Sequence, residues 1–259
     1  MPPSTLSVAL VGLGVALASM TLLWVVSLLR EDTSIVDPFW GPGFAIVTVA
    51  YLFADGRFVD RGLLTLVLVT AWAGRLGYHL LKRNLQEGED ARYAKWRAEA
   101  GASWPLRSLF TVFWLQALLL WGVSMPLLGS VRSTDPLGPL DVLGTIVFLV
   151  GLTIESLADL HLARFKADPA NKGQVFDSGL WRYSRHPNYF GEFVLWWGLY
   201  LVAAAGGAYW TIVGALLISF LLLRVSGVTL LERSLTETKP QYAEYVRRTS
   251  AFVLWPPKD

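Results

Sequence analysis

Residues 179–192 read G-L-W-R-Y-S-R-H-P-N-Y-F-G-E and stand directly before an apolar run that starts at Phe193. Arg182, Tyr183, Arg185, His186, Asn188 and Glu192 are thereby concentrated where a chain passes into lipid. Charged and hydrogen-bonding groups are costly there unless they face protein, water or a ligand. The tract therefore reads as a binding site for a polar, anionic molecule. The free N–H groups of the helix that starts around His186–Asn188 suit the phosphates of such a molecule.

A second constellation lies upstream. Glu155, Asp159 and Lys166, spaced by four and seven residues, fall within roughly 40° of one another on a helix. Two carboxylates on one face can accept hydrogen bonds from ribose hydroxyls or an adenine amine, and the lysine can meet a phosphate. The alternative is an ion-pair network with Arg75 or Arg224. Arg75, Tyr78, His79 and Lys82 share another helical face. Arg75 is expected to face the interior and Lys82 to snorkel to the interface. Tyr78 is either a hydrogen-bond donor to a carbonyl oxygen or a packing residue. In S-I-V-D-P-F-W-G, Asp37 fits a helix N-cap followed by proline at the first helical position. Asp37 equally fits an acid that protonates or polarises a substrate carbonyl, with Phe39 and Trp40 lining an apolar pocket beside it.

The elements that must carry these groups are membrane helices. Hydrophobic residues make up 54% of 259 and charged ones 16%, with mean hydropathy +0.45, against about 25% charged residues in soluble domains. Crossing a bilayer takes about 20 apolar residues. The sequence predicts an all-α, polytopic bundle of seven spans, near 6–29, 36–54, 62–81, 108–129, 139–161, 189–205 and 208–230, forming a single domain over 1–259. The first span is too long for a signal-peptide core and reads as retained. Basic residues crowd the segments 82–107 and 162–188 and the tail, whereas the opposite loops hold Arg57, Arg61 and Arg132. By the positive-inside rule the N-terminus is external and the C-terminus cytoplasmic. The net charge of +2 and its scatter over anchored loops do not imply nucleic acid.

Cysteine is absent and the three histidines lack H-E-x-x-H spacing, so neither a thiolate nor a metal site is expected. Gly12-Leu13-Gly14 lacks the third glycine of a dinucleotide fingerprint and reads as helix packing. Gly41-Pro42-Gly43 is expected to loosen or bend the second span.

The tract S-R-H-P-N-Y-F-G-E, preceded by K-G-Q-V-F-D-S-G-L-W-R-Y and followed by L-L-E-R-S-L and K-P-Q-Y-A-E-Y-V-R-R-T-S-A-F-V-L-W-P-P-K, resembles the steroid 5-alpha-reductase-like membrane proteins, more closely their bacterial branch. D-P-F-W-G and W-A-G-R-L-G are similar pieces of the first half. The resemblance implies a seven-helix oxidoreductase of the 3-oxo-5-alpha-steroid 4-dehydrogenase type, acting on a CH–CH group. It also implies NADPH bound from the cytosol and a lipophilic enone or steroid-like substrate that arrives from the bilayer lipid. It implies a cofactor set of Arg75, Glu155, Asp159, Lys166, Arg182, Tyr183, Arg185, His186, Asn188, Glu192, Arg224 and Glu232, with Asp37 and Tyr78 as catalytic candidates. Phe39, Trp40 and Trp72 fall to the substrate pocket. Glu155 stands where the family has asparagine, Lys166 where arginine is usual, and Glu232 where the steroid enzymes tend to have tyrosine. The expected location is an integral membrane protein, of the inner membrane if bacterial, with its site open to the cytosol. The rival is an S-adenosylmethionine-dependent methyltransferase of the isoprenylcysteine type, which shares an R-H-P-x-Y-x-G tract but has paired glutamates in its last helix, where this chain has Glu232-Arg233.

Overall fold

The computed structural model describes residues 3–225 and 242–258. Among them every regular element is helical, which fits the all-α membrane bundle expected from composition. The helices are α1 (Thr5–Arg30), α2 (Val36–Asp55), α3 (Asp60–Glu87), α4 (Ala91–Ala100), α5 (Trp104–Ser108), α6 (Leu115–Val123), α7 (Met125–Arg132), α8 (Pro139–Ala167), α9 (Pro187–Ala205), α10 (Ile212–Phe220) and α11 (Tyr242–Arg248). A π-helical stretch, Leu109–Trp114, joins α5 to α6.

Among the described residues five helical stretches, not seven, are long and apolar enough to cross a membrane: Thr5–Arg30, Thr33–Asp55, Asp60–Gln86, Ala91–Val123 and Pro139–Ala167. For the sixth expected span the shortfall has a physical cause. Helix α9 has 19 residues, but Asn188, Tyr189, Glu192, Trp196, Trp197 and Tyr200 dilute its apolar character. The seventh expected span, 208–230, lies partly outside the described residues, which hold the apolar run Tyr209–Val225. The segment 82–107, read from sequence as a loop, is mostly helical, because α3 continues to Glu87 and α4 follows at once.

Contacts divide the chain into two compact units, one running up to Gly138 and including Val202–Gly214, the other comprising Pro139–Leu201 and the residues from Ala215 onward. In the first unit, small residues let α2 and α3 approach. A Cβ on Gly41 would stand 3.0 Å from the backbone of Ala73, and one on Gly77 3.0 Å from the ring of Pro42. Pro42 is accommodated inside a continuous α2. Gly12 is likewise a packing residue, since a Cβ there would overlap the Tyr51 ring at 2.1 Å. Indole donors join α1 to the fourth stretch: Trp121 Nε1 donates to Ala9 O at 2.8 Å, Trp114 to Thr21 Oγ1 at 3.0 Å, and Trp24 to Pro105 O at 2.8 Å. Each satisfies the indole N–H without water.

In the second unit α8 and α9 cross on glycine. A Cβ on Gly151 would lie 2.4 Å from Leu195 N, one on Gly191 2.5 Å from Glu155 N, and one on Gly198 2.5 Å from Phe148 N. Gly144 and Gly151 on α8, and Gly191 and Gly198 on α9, are each seven residues apart, so each pair shares a face. Backbone meets backbone along this seam.

Candidate functional site

The α8–α9 seam positions the polar groups of the second unit. Four and eight residues beyond Gly151 come Glu155 and Asp159, only 2% and 6% exposed. Across the seam, α9 presents Asn188, whose Nδ2 donates to Asp159 Oδ1 at 3.0 Å. The other amide atom, Asn188 Oδ1, is buried and has no hydrogen-bond partner among the described residues. A buried acceptor without a donor is uncommon and points to a ligand or water. His186 and Glu192 on the same helical segment are also buried. One end of the seam thus holds carboxylates, an amide and an imidazole out of bulk solvent, at a cost that a membrane protein rarely bears without use.

The mouth of α9 is held by the C-terminal segment. Arg185 is buried, and its Nη1 donates to Val246 O at 2.9 Å and Thr249 O at 2.6 Å. Its backbone N–H donates to Ser250 O at 2.8 Å. Ser184 Oγ donates to Phe252 O at 2.7 Å and accepts from His186 N at 3.1 Å. Trp181 Nε1 donates to Ala158 O at 3.0 Å, tying this tract to α8. Arg182, Tyr183, Lys166 and Arg224 are exposed, whereas Arg185 is buried and clamped. Glu232 lies outside the described residues.

The first unit holds the catalytic candidates. Asp37 is not an N-cap: α2 begins at Val36 with Ile35 at the cap position, and Asp37 sits in the first turn. There a carboxylate complements the helix dipole. Capping belongs to Asp32, which accepts from Ser34 N at 2.8 Å and heads the short turn Thr33–Ile35. Asp37 Oδ1 accepts from the Tyr93 hydroxyl at 3.0 Å, and Arg92 Nη2 stands 3.8 Å from Asp37 Oδ2. A cavity of about 370 Å³ opens beside them, lined by Ser34, Asp37, Pro38, Leu80, Arg83, Asn84, Gly88, Glu89, Asp90 and Ala91. Its acidic rim is largely partnered. Arg92 makes paired bonds to Asp90 at 2.9 and 3.0 Å, and Arg97 bonds Glu89. Burial pushes the Asp90 carboxyl up, but hydrogen bonds from the Arg92 side chain and backbone outweigh it and hold Asp90 below its ordinary value.

Tyr78 is 70% exposed on α3, lining a shallow groove with Leu81, Lys82, Leu85 and Gln86. The phenol that meets Asp37 is Tyr93's. Arg75 is half-buried in the first unit. Trp72 is fully buried and packs on Phe44 at 5.7 Å, while Trp40 meets the same Phe44 edge-on at 5.3 Å. Phe39 is half-buried beside Gly43. Phe44 and Trp72 are core residues, and Phe39 and Trp40 are half-buried.

Sequence reasoning missed Tyr93, Arg92 and the glycine seam. Tyr93 had one visible signal: it is the aromatic residue at the third position of a helix capped by Asp90, in a stretch otherwise rich in charge. The seam was visible as the repeated seven-residue glycine spacing.

Residues 23–249 match the family described as a protein of unknown function, DUF1295. A Schizosaccharomyces pombe protein described as uncharacterized is 27% identical over 280 aligned residues, covering 93% of this chain and 78% of that protein. A probable O-methyltransferase of Ustilaginoidea virens is 38% identical over 66 residues, covering 26% of this chain and 23% of that protein. No solved structure matches. With the match extending over most of its length, the chain belongs to the DUF1295 family.

Proposed function

We propose that the protein is a membrane oxidoreductase that uses NADPH to saturate the conjugated C=C bond of a lipophilic enone, steroid-like or otherwise. The observation that carries this reading is Asn188. Its amide is fixed by Asp159 on one side and offers a buried, unmet acceptor on the other. Such an acceptor fits the amide or hydroxyl donors of a dinucleotide. Glu155, Asp159 and Glu192 would accept from ribose or amine donors, and Arg182 and Lys166 would meet phosphates. NADPH, when bound, supplies the hydride.

The reading assigns proton delivery to Asp37 and Tyr93. A proton held between Tyr93 Oη and Asp37 Oδ1 would hold the carbonyl oxygen and stabilise negative charge as it develops there, and water or a side chain would supply the proton that the α carbon takes up. Neither group needs a metal or a covalent intermediate for that role. The reading carries with it a membrane helical bundle, an external N-terminus and a site open to the cytosol. It also carries an inner-membrane location if the source is bacterial. The test is titration of NADPH into the detergent-solubilised protein, with enone-dependent loss of NADPH absorbance. Binding abolished by Asn188→Ala supports the assignment, whereas unaltered binding in that variant would sink it.

A second reading is favoured by the match to a probable O-methyltransferase. The same acceptors would then hold the amino-acid and ribose donors of S-adenosylmethionine. Parallel titration with that molecule separates the two.

A further inference from the structure

We propose that the C-terminal segment Tyr245–Trp255 is a working part of the site around Asn188, with Ser184 and Arg185 as positioning residues that couple the two. The segment is fastened to the mouth of α9 from several directions. Arg185 spends its guanidinium on Val246 O and Thr249 O and its backbone N–H on Ser250 O. Trp255 N donates to Tyr183 O at 3.0 Å, and the Tyr245 hydroxyl donates to Trp181 O. Phe252 sets its ring edge-on to Phe190 at 5.7 Å and Phe193 at 5.6 Å, both on α9.

The decisive link is the Ser184 hydroxyl. By donating to Phe252 O at 2.7 Å, it fixes its rotor so that a lone pair receives His186 N–H at 3.1 Å. A serine oxygen on that early N–H satisfies one of the donors a helix leaves open at its start. One hydroxyl therefore connects the segment to the first turn of α9, two residues before Asn188. Arg185 reinforces the same junction from the adjacent position, and the Phe252 contacts hold the next turn. Since Asn188 must keep its amide on Asp159 to present Oδ1, loosening the segment should loosen the ligand-facing amide. Linkage makes the effect reciprocal: a ligand held at Asn188 should tighten the segment. The proposal rests on the reading above only in treating Asn188 as ligand-facing.

The test is hydrogen–deuterium exchange on the full chain in nanodiscs. In the wild-type protein the amides of Arg185, His186 and Trp255 are expected to exchange through one common opening. Unrelated rates for the three would overturn the coupling, and this arm needs no variant. Ser184→Ala is expected to speed exchange at least tenfold both in 249–255 and in 186–190, leaving 144–151 of α8 unchanged. Ser184→Thr, which keeps the hydroxyl, is expected to restore both. Faster exchange in 249–255 with 186–190 unchanged would show a segment that is attached but positions nothing. NADPH added to the wild-type protein is expected to slow 249–255. These exchange arms decide the coupling by themselves, and failure of the wild-type protein to bind NADPH would count against the functional reading alone.

Discussion

A methyl group placed on Gly191 would sit 2.5 Å from Glu155 N, 2.7 Å from Gly151 O and 2.9 Å from Glu155 Cα. All three are backbone atoms, so no rotamer change relieves the overlap. Comfortable separations begin at about 3.5 Å, so α8 and α9 must part by roughly 1 Å. Over-packing of this kind costs about 1–3 kcal/mol. The same displacement would stretch the Asn188–Asp159 contact from 3.0 Å to beyond hydrogen-bonding range. Losing a bond to a charged group costs a further ~1.5–3 kcal/mol. Against this stands the better helix propensity of alanine, roughly 1 kcal/mol. The net expectation is a loss of about 1.5–5 kcal/mol, a large share of a typical stability of about 5–15 kcal/mol. Unfolding in mixed detergent micelles measures it, and NADPH titration of the surviving folded protein should show weakened binding. Gly74→Ala is the control: a Cβ there meets nothing within 4 Å, so stability should hold or rise. Should Gly191→Ala match the wild type within about 0.5 kcal/mol, the seam would not be what assembles the site.

Tyr93→Phe and Asp37→Asn should each lower enone reduction by about a hundredfold, the scale of losing a positioned proton donor, with NADPH affinity nearly unchanged. Full activity in Tyr93→Phe would remove the phenol from the proton path. Asp90 gives the pH dependence: its folded carboxyl lies below the ordinary value, so its contribution is complete above the unfolded value of about 3.9 and fades as pH falls through the folded one. Comparing unfolding midpoints of wild type and Asp90→Asn from neutral pH to pH ~3 should show a gap that is constant at neutral pH and closes in acid. A gap that widens in acid would refute the pairing with Arg92.

The sequence made much of the second unit readable. The spacing of Glu155 and Asp159 needed only helical geometry, and Asn188 followed from a polar tract abutting an apolar run. Arg185 was misleading for a reason no local rule supplies: its guanidinium serves carbonyls 61 and 64 positions away. In the first unit the difficulty was rotational. Ala73 and Gly77 meet α2, and Tyr78, one residue past Gly77, is turned about 100° from that face. Small residues, more than polar ones, marked the side of α3 that packs. Tyr93 was hidden because A-R-Y-A-K-W-R-A-E-A reads as a charged loop until the Asp90 cap and the burial of one aromatic side chain reveal an amphipathic helix.

Helix α2 carries an aspartate near each end, and their surroundings separate structural from chemical use. Asp55 is saturated. Arg57 donates to both of its oxygens, at 2.8 and 2.9 Å, and Arg132 bonds Oδ1 as well. Nearby, Arg61 is 1% exposed and donates to Ser133 Oγ at 2.6 Å, Asp135 O at 3.0 Å and Pro136 O at 3.0 Å. These bonds tie the end of α2 and the start of α3 to the end of α7 and the residues that follow it. Asp37 receives one phenol hydrogen bond, keeps a guanidinium at 3.8 Å and borders a cavity. A carboxylate held by three guanidinium hydrogen bonds serves structure, because any proton transfer must first break charge-assisted bonds. One that shares a single proton with a tyrosine and faces open space retains capacity for chemistry. That contrast favours Asp37 over Asp55 as the acid, although both stand on the same helix and composition alone ranks them equally.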